Sequence, residues 1–227
     1  MIVQILANLQ QEGYLDKARH PTIAPFFAGA NVAFRRRALE EIGGYDPGCV
    51  TGEDCDVCAR LLTAGWELYL RRGAVVRHKN PSRIRDLIRR WFGYGRYHPY
   101  VFAKHNERAL ECHVRFPAPG GGRYACLFYR PFPFAVVVFL TNFLFLHLAL
   151  LGTALLWLAG LSVLAWVGLA LTATLLAAYV WPDVRRHGLA LGGAFAVLRY
   201  LADMALFLGA LLGGFSQRML YLSATVD

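Results

Sequence analysis

Apolar residues fill the last third of the chain. From Phe134 to Val180 there are 47 consecutive residues without Asp, Glu, Lys or Arg. A single helix of that length would measure about 70 Å, whereas the hydrocarbon core of a bilayer is about 30 Å thick. The run therefore predicts two membrane-spanning helices, about 134–157 and 162–180, joined by a turn at Gly160.

A third apolar segment, 189–215, is interrupted by two charges. Arg199 and Asp203 are four residues apart, so both lie on one face of a helix. Two interpretations stay open for this segment. It is either a third span with an internal ion pair, or an interfacial or re-entrant helix.

The first 130 residues show the shorter periods of an α/β domain. The pattern predicts, in order, a strand from Phe26, a helix that closes at Gly43 and Gly44, a helix over 53–64, short strands at 66–70 and 74–76, and a helix from Ser82. The predicted fold class is a partial α/β domain followed by an α-helical transmembrane region of two to three helices. The domain boundaries are 1–116 for the α/β part, 117–133 for a linker, 134–215 for the membrane region and 216–227 for a tail.

The charge of the chain is concentrated in one segment. Lys and Arg number 24 against 15 Asp and Glu, and the window 71–104 alone has ten basic residues and one acidic residue. Only seven charged residues fall within 131–227. This distribution, with 56% hydrophobic and 14% aromatic residues, argues against a purely soluble protein and excludes intrinsic disorder.

Basic residues also predict the orientation in the membrane. Arg185 and Arg186 follow the second predicted span, and the turn near Gly160 carries no charge. By the positive-inside rule this loop and Arg130 face the cytoplasm. Residues 1–130 are therefore expected on the cytoplasmic side of the plasma (inner) membrane, where five reduced cysteines also fit.

Two adjacent carboxylates, Glu53 and Asp54, open the predicted helix 53–64. An isolated pair at a helix start is most simply a cap. The surrounding motifs add to this picture, and they occur in a fixed order: Phe27–Arg36 (FAGANVAFRR), Ile42–Asp46 (IGGYD), Gly52–Asp56 (GEDCD), Arg60-Leu61 with Gly65-Trp66, and Val75–His78 (VVRH).

This ordered set resembles the acceptor half of family 2 glycosyltransferases, over roughly residues 26–104. The resemblance implies a GT-A-type fold and transfer of a sugar, with inversion, from a nucleotide-diphosphate donor to a glycan or lipid-linked acceptor. It implies Asp54 as the general base and Glu53 as a residue that shapes the acceptor site. Gly29, Ala30 and Asn31 would let the backbone approach the sugar closely.

His78 follows a short predicted strand, at a position where GT-A enzymes often place a histidine near the metal and the diphosphate. The resemblance therefore implies that His78 contacts a metal or the diphosphate, with Mg²⁺ or Mn²⁺ as the expected ion. The alternative is a surface histidine that leads into the basic segment.

The basic helix predicted over 83–96 has more than one interpretation. Its arginines could face anionic membrane lipid, or they could clamp a diphosphate or lipid phosphate while Trp91 stacks on a sugar. Processive synthases similar to cellulose synthase carry Gln-x-x-Arg-Trp here; Arg90 and Trp91 match its end, but Leu87 stands in place of the Gln. Processive polymerisation is therefore not expected, and neither is nucleic-acid binding.

The pair Cys55 and Cys58 forms a C-x-x-C on the predicted helix. A zinc site is not expected, because no second paired motif accompanies it, and the context of a thioredoxin-like redox pair is missing.

The donor-binding part of such an enzyme is not recognisable in the sequence. The only Asp before Phe26 is Asp16, with no Asp-x-Asp motif and no preceding glycine-rich βαβ pattern. We therefore expect the chain to be the acceptor-site and membrane-anchor half of a longer enzyme, or to work with a separate N-terminal half. The alternative function is a non-catalytic membrane module that binds anionic lipid or a partner subunit through the helix 83–96.

Overall fold

A computed structural model of the chain describes residues 29–69, 75–77, 79, 81–118 and 121–224. A 3₁₀ turn, Gly29–Asn31, comes first. The α-helices are α1 (Arg36–Glu41), α2 (Glu53–Thr63), α3 (Ile84–His105), α4 (Asn142–Leu158), α5 (Ser162–His187) and α6 (Leu189–Ser216). The strands are β1 (Ala109–Ala118), β2 (Gly121–Pro131), β3 (Ala135–Leu140) and β4 (Met219–Leu222). The predicted fold class, an α/β part followed by apolar helices, is confirmed.

One mixed sheet joins the two parts of the chain. Its strand order is β2-β1-β3-β4, with β1 antiparallel to β2 and parallel to β3, and with β3 parallel to β4. Alternate residues of β3 are buried, as expected for a strand with one covered face. Val137 and Phe139 pack there with Tyr221 of β4, Phe102 of α3 and Ala210 of α6.

The sheet occupies a region where the sequence predicted a linker and the start of a span. Residues 117–118 and 121–122 belong to β1 and β2, in which Ala118 is the register partner of Gly121. Residues 135–140, predicted as the beginning of the first span, form β3, and α4 begins only after Thr141, whose hydroxyl accepts a hydrogen bond from the Leu144 N–H. The reason is the run Val136–Val138, since β-branched residues favour a strand when neighbours are available to pair with it.

The two short strands predicted around residues 66–76 are not formed in the described part of that segment. Residues 66–69 and 75–77 are in no strand. An extended segment becomes a strand only when another strand pairs with it. In the described residues the four strands all belong to the sheet of β1 to β4.

Helix α3 packs closely on α6. Leu87 and Trp91 of α3 are buried against a cluster on α6 that includes Phe195 and Leu206. The backbones meet at glycines: a Cβ added to Gly209 would overlap the Phe92 carbonyl. Gly95 and Gly213 lie equally close to the facing backbone. The predicted basic helix is therefore one partner of a helix pair, with an apolar face on α6 and exposed arginines on the other side.

We expect Gly209→Ala to lower the free energy of unfolding by about 1–3 kcal/mol, because the new methyl group must push two backbones apart. Gly193→Ala on the same helix is the matched control, since a Cβ there meets nothing within 4 Å. That control should be neutral or stabilising by up to about 1 kcal/mol. Denaturant unfolding in detergent measures both, and equal effects would show that the close approach is unimportant.

Two of the apolar helices, α5 and α6, are long and apolar enough to cross a membrane, and α4 is a shorter apolar helix. This supports membrane association. The two charged residues expected to pair within 189–215 both have partners on α5: Arg199 binds Asp183 at 2.6 Å, and Asp203 accepts a hydrogen bond from the Tyr179 hydroxyl at 2.6 Å. Helical spacing within one element could not reveal these partners on a neighbouring helix.

Candidate active site

The start of α2 is fixed by a glycine. Gly52 immediately before the helix has φ of 83°, a left-handed conformation that costs glycine little and other residues more. Glu53, Asp54 and Asp56 occupy the first turn. Carboxylates are stabilised there by the positive end of the helix dipole. The sequence thus presents an acidic helix start, and the structure confirms it.

Asp54 is half-buried and held from two sides. Its Oδ2 atom accepts a hydrogen bond from the Gly29 N–H at 3.0 Å, and its Oδ1 atom accepts one from the Cys55 N–H at 2.8 Å. Each carboxylate oxygen keeps a further lone pair for another donor. The side chain is therefore oriented and can still accept a hydrogen bond from a hydroxyl group.

The structure brings the predicted turn 29–31 to these carboxylates. A Cβ added to Gly29 would lie 3.7 Å from the Asp54 Cβ and 3.8 Å from Glu53 Oε1. Ala30 and Asn31 are exposed in the same turn. Gly29, which precedes Glu53 and Asp54 by more than twenty residues, thus forms one small surface with them.

Two tyrosines that the sequence analysis missed lie within electrostatic range of this surface. The pKa of Tyr94 on α3 is raised, first by burial and then by the charges of Asp54 and Glu53, while Arg90 opposes the shift. The pKa of Tyr45 is raised by burial and by Glu53. The only available signal was the position of Tyr94, one helical turn after Arg90.

Arg90 and Trp91 have different environments. Arg90 is half-buried and acts on the Tyr94 hydroxyl, as its effect on that pKa indicates. The Trp91 ring is only 3% exposed, lies between α3 and α6, and makes an edge contact with Tyr94 at 5.2 Å between ring centroids. In this arrangement the Trp91 ring packs against Tyr94 inside the helix pair. The contact of Trp91 with a sugar stays a prediction.

His78, the predicted contact to metal or diphosphate, lies outside the described residues. Within residues 29–69, 75–77, 79, 81–118 and 121–224, no three His, Cys, Asp or Glu side chains gather closely enough to hold a metal ion. These residues do not by themselves provide a site for the expected Mg²⁺ or Mn²⁺.

A buried carboxylate, Asp56, connects α2 to the end of α3. Its side chain is fully buried and contacts Arg60 at 2.7 Å, Lys104 at 2.7 Å and His105 at 2.9 Å. Lys104 also binds Asp46 at 2.6 Å. This cluster, called the Asp56 network below, fixes α2 against α3 two residues away from Asp54.

The Asp56 network gives a pH prediction. Burial would raise the pKa of Asp56, but hydrogen bonds from Lys104, Arg60 and His105 outweigh it, so the pKa is below its ordinary value. The pKa of Asp46 is lowered to about 2, mainly by its hydrogen bond from Lys104. A lowered carboxyl pKa stabilises the folded protein fully at pH values above the pKa of the unfolded state, which is about 4. This stabilisation is lost as the pH falls through the lower pKa of the folded state.

We therefore expect the wild type to be more stable than Asp56→Asn throughout pH 5–8, with the difference shrinking below about pH 4. Melting temperatures of both proteins across pH 3–8 measure this. A difference that instead grows toward acid pH would contradict the assigned charge states.

The pKa values of two cysteines near the site favour the protonated thiol. Burial and the charge of Asp54 raise the pKa of Cys55, and burial and nearby carboxylates raise that of Cys49 to about 11. Cys58 is completely buried. Protonated, buried thiols react slowly, because the thiolate is the nucleophile.

Maleimide at pH 7 is expected to label the exposed Cys126 and to leave Cys49, Cys55 and Cys58 unmodified until the protein is denatured, because only the thiolate reacts quickly. Mass spectrometry of timed samples measures the order. Modification of Cys55 or Cys58 as fast as that of Cys126 would contradict this description of the thiols.

Residues 14–181, more than half of the chain, match the model of the family described as glycosyl transferase family group 2. The chain belongs to this family. Its predicted likeness to family 2 glycosyltransferases is thereby confirmed.

Curated relatives match a shorter part. A pre-mycofactocin glycosyltransferase of Mycobacterium tuberculosis is 36% identical over 76 residues, which are 34% of this chain and 16% of the relative. An O-antigen chain rhamnosyltransferase of Salmonella typhimurium is 30% identical over 73 residues, which are 32% of this chain and 23% of the relative. The match thus spans less than a quarter of either relative. No solved structure matches the chain significantly.

Proposed function

We propose that the chain holds the acceptor and base half of an inverting, GT-A-type glycosyltransferase that acts at the cytoplasmic face of the plasma (inner) membrane. The observation that carries the proposal is the oriented Asp54 carboxylate, held by the Gly29 N–H beside Glu53. Membership of glycosyl transferase family group 2 supports the reaction class.

In the proposed reaction Asp54 accepts the proton of the acceptor hydroxyl. The hydroxyl oxygen forms a bond to the anomeric carbon of the donor sugar, and the bond from that carbon to the nucleoside diphosphate breaks. A carboxylate within hydrogen-bond reach of the hydroxyl suits this step. The acceptor site is proposed to be shaped by Glu53, the turn 29–31, Arg90 and Trp91. Tyr94 lies beside Trp91.

The donor nucleotide sugar is proposed to bind largely outside the described residues, with His78 contacting the diphosphate or a Mg²⁺ or Mn²⁺ ion. That binding could come from a longer form of the enzyme or from a separate N-terminal half. The short share of each relative that the chain matches supports this proposal. The acceptor class, a cell-envelope glycan or glycolipid, is proposed from the relative that acts on the O-antigen chain.

Sugar transfer can be tested in membranes from the producing organism, with and without the gene for this chain. Radiolabelled UDP-, GDP- and TDP-sugars are supplied, and label in the glycan and lipid fractions is counted. We expect label from one donor to disappear without the chain and to return on complementation. Unchanged incorporation from every donor would contradict the proposed function.

A second candidate is a non-catalytic module that binds anionic lipid or a partner subunit through α3. The observation in its favour is that Arg85 and Arg89 are exposed on α3. Under this alternative, changing both to Glu abolishes binding to vesicles with anionic lipid, and binding of the wild type falls steeply with salt. Under the glycosyltransferase proposal, label incorporation requires the chain, whether or not α3 binds anionic lipid.

A further inference from the structure

The pairing of β3 with β4 restricts how the apolar helices can cross a membrane. β3 leads into α4 through Thr141 alone, and β4 begins three residues after the end of α6. The two strands are parallel neighbours, with Ala135 opposite Met219 and Val138 opposite Leu222. Neighbouring strands are about 4.8 Å apart, whereas opposite membrane faces are separated by about 30 Å of hydrocarbon. The chain from β3 to β4 therefore crosses a bilayer an even number of times.

Helix α6 is packed against the α/β part of the chain. It packs along α3 from Phe195 to Gly213, with backbone contact at both Gly209 and Gly213. α3 presents exposed arginines at positions 85, 89 and 96, and such charges are costly in hydrocarbon. Because α6 is packed on α3, a crossing by α6 would draw these arginines into the hydrocarbon, which argues against it.

Helices α4 and α5 form a hairpin with the opposite character. They contact each other through the Thr153 and Thr172 hydroxyls, 3.3 Å apart, and through the Trp157 and Trp166 rings near the tip. Their outer surfaces are apolar. The exposed side chains include Leu151, Leu155, Val163, Leu164, Val167 and Leu171.

The contacts of α6 with this hairpin lie at its base. On α4 they involve Phe143 and His147, whose Nε2 atom is 3.1 Å from the Tyr200 hydroxyl. On α5 they involve Tyr179 and Asp183. From Ser162 to Val180, α5 measures about 27 Å, close to the thickness of the hydrocarbon core. Trp181, Arg185 and Arg186 follow at the base, where aromatic and basic side chains meet headgroups.

We propose that α4 and α5 cross the bilayer as one helical hairpin, and that α6 lies on the cytoplasmic face between this hairpin and α3. The occupant of the apolar surface is a bilayer with anionic lipid, because the surface is uncharged and its base is basic. This inference rests on the membrane attachment in the proposed function and not on sugar transfer.

Cysteine labelling in sealed vesicles of both orientations tests this topology with the full chain. Native Cys126 marks the side of the sheet. In a Cys126→Ser background, which also reports residual labelling of the other cysteines, Ser162→Cys marks the α4–α5 turn and Ser216→Cys marks the end of α6. Both serines are exposed, and the exchange is nearly isosteric.

We expect an impermeant maleimide to reach position 216 from the same side as Cys126 and position 162 only from the other side. Position 216 on the opposite side would mean three crossings and would overturn the proposal. Position 162 on the side of Cys126 would mean that the hairpin covers a protein or a second copy instead of lipid, which also overturns it.

A tag after Asp227 gives a second readout through protease access, in case Ser216→Cys does not fold. We expect the tag on the side of Cys126, and a tag on the opposite side would overturn the proposal. The labelling pattern does not depend on catalysis. Failure of the proposed sugar transfer would appear only in the incorporation assay.

Discussion

Asp56→Ala is expected to lower the free energy of unfolding by about 3–5 kcal/mol, because it removes the only carboxylate that Arg60 and His105 contact in the Asp56 network. Without Asp56, the positive charges of Arg60 and Lys104, whose side chains are only 20% and 30% exposed, lose their buried partner. Here the carboxylate is fully buried while its cationic partners are partly exposed. Because Asp56 lies on α2 and its partners Lys104 and His105 lie on α3, its loss should also loosen the contact between these helices.

The matched control is Glu40→Ala. Glu40 pairs with Arg36 at 3.0 Å, but both side chains are largely exposed, so the pair contributes only about 0.5 kcal/mol. Denaturant unfolding of both variants in the same detergent gives the comparison. Equal losses in the two variants would show that the Asp56 network does not hold α2 and α3 together.

The sequence was sufficient for the features that depend on local pattern. The charge-free run 134–180 predicted two apolar helices with a turn at Gly160, and the structure has α4 and α5 there. The acidic start of α2 and the ordered motifs around it predicted the family, which the family model confirms. These signals can be read from neighbouring residues, because helical period, caps and motifs are local properties.

Features that depend on distant partners were not predicted. His105 lies 49 residues from Asp56, and Gly209 is more than a hundred residues from the α3 backbone that it touches. The sequence of β3 predicted the beginning of a span. Its pairing with β4 could not be predicted, because the two strands are about eighty residues apart. No periodicity within one segment carries this information.

Asp54→Asn is expected to reduce the turnover number of the complete enzyme by about 10²- to 10⁴-fold, the usual contribution of a general base. Asparagine keeps the size of the side chain and an oxygen that can accept the hydrogen bond from the Gly29 N–H, but it cannot take up a proton. The concentration of acceptor needed for half-maximal rate should change little. A loss confined to acceptor affinity would instead assign Asp54 to binding.

The most direct test of the account is the rate of sugar transfer in membranes that lack the native chain and carry wild type, Asp54→Asn or Asp86→Asn. Asp86 is an exposed carboxylate in the first turn of α3, so its exchange controls for the loss of one charge at a helix start. The account predicts near-normal transfer with Asp86→Asn and a loss of at least about 10²-fold with Asp54→Asn, at equal amounts of folded protein. Normal transfer by Asp54→Asn would contradict the assignment of the base.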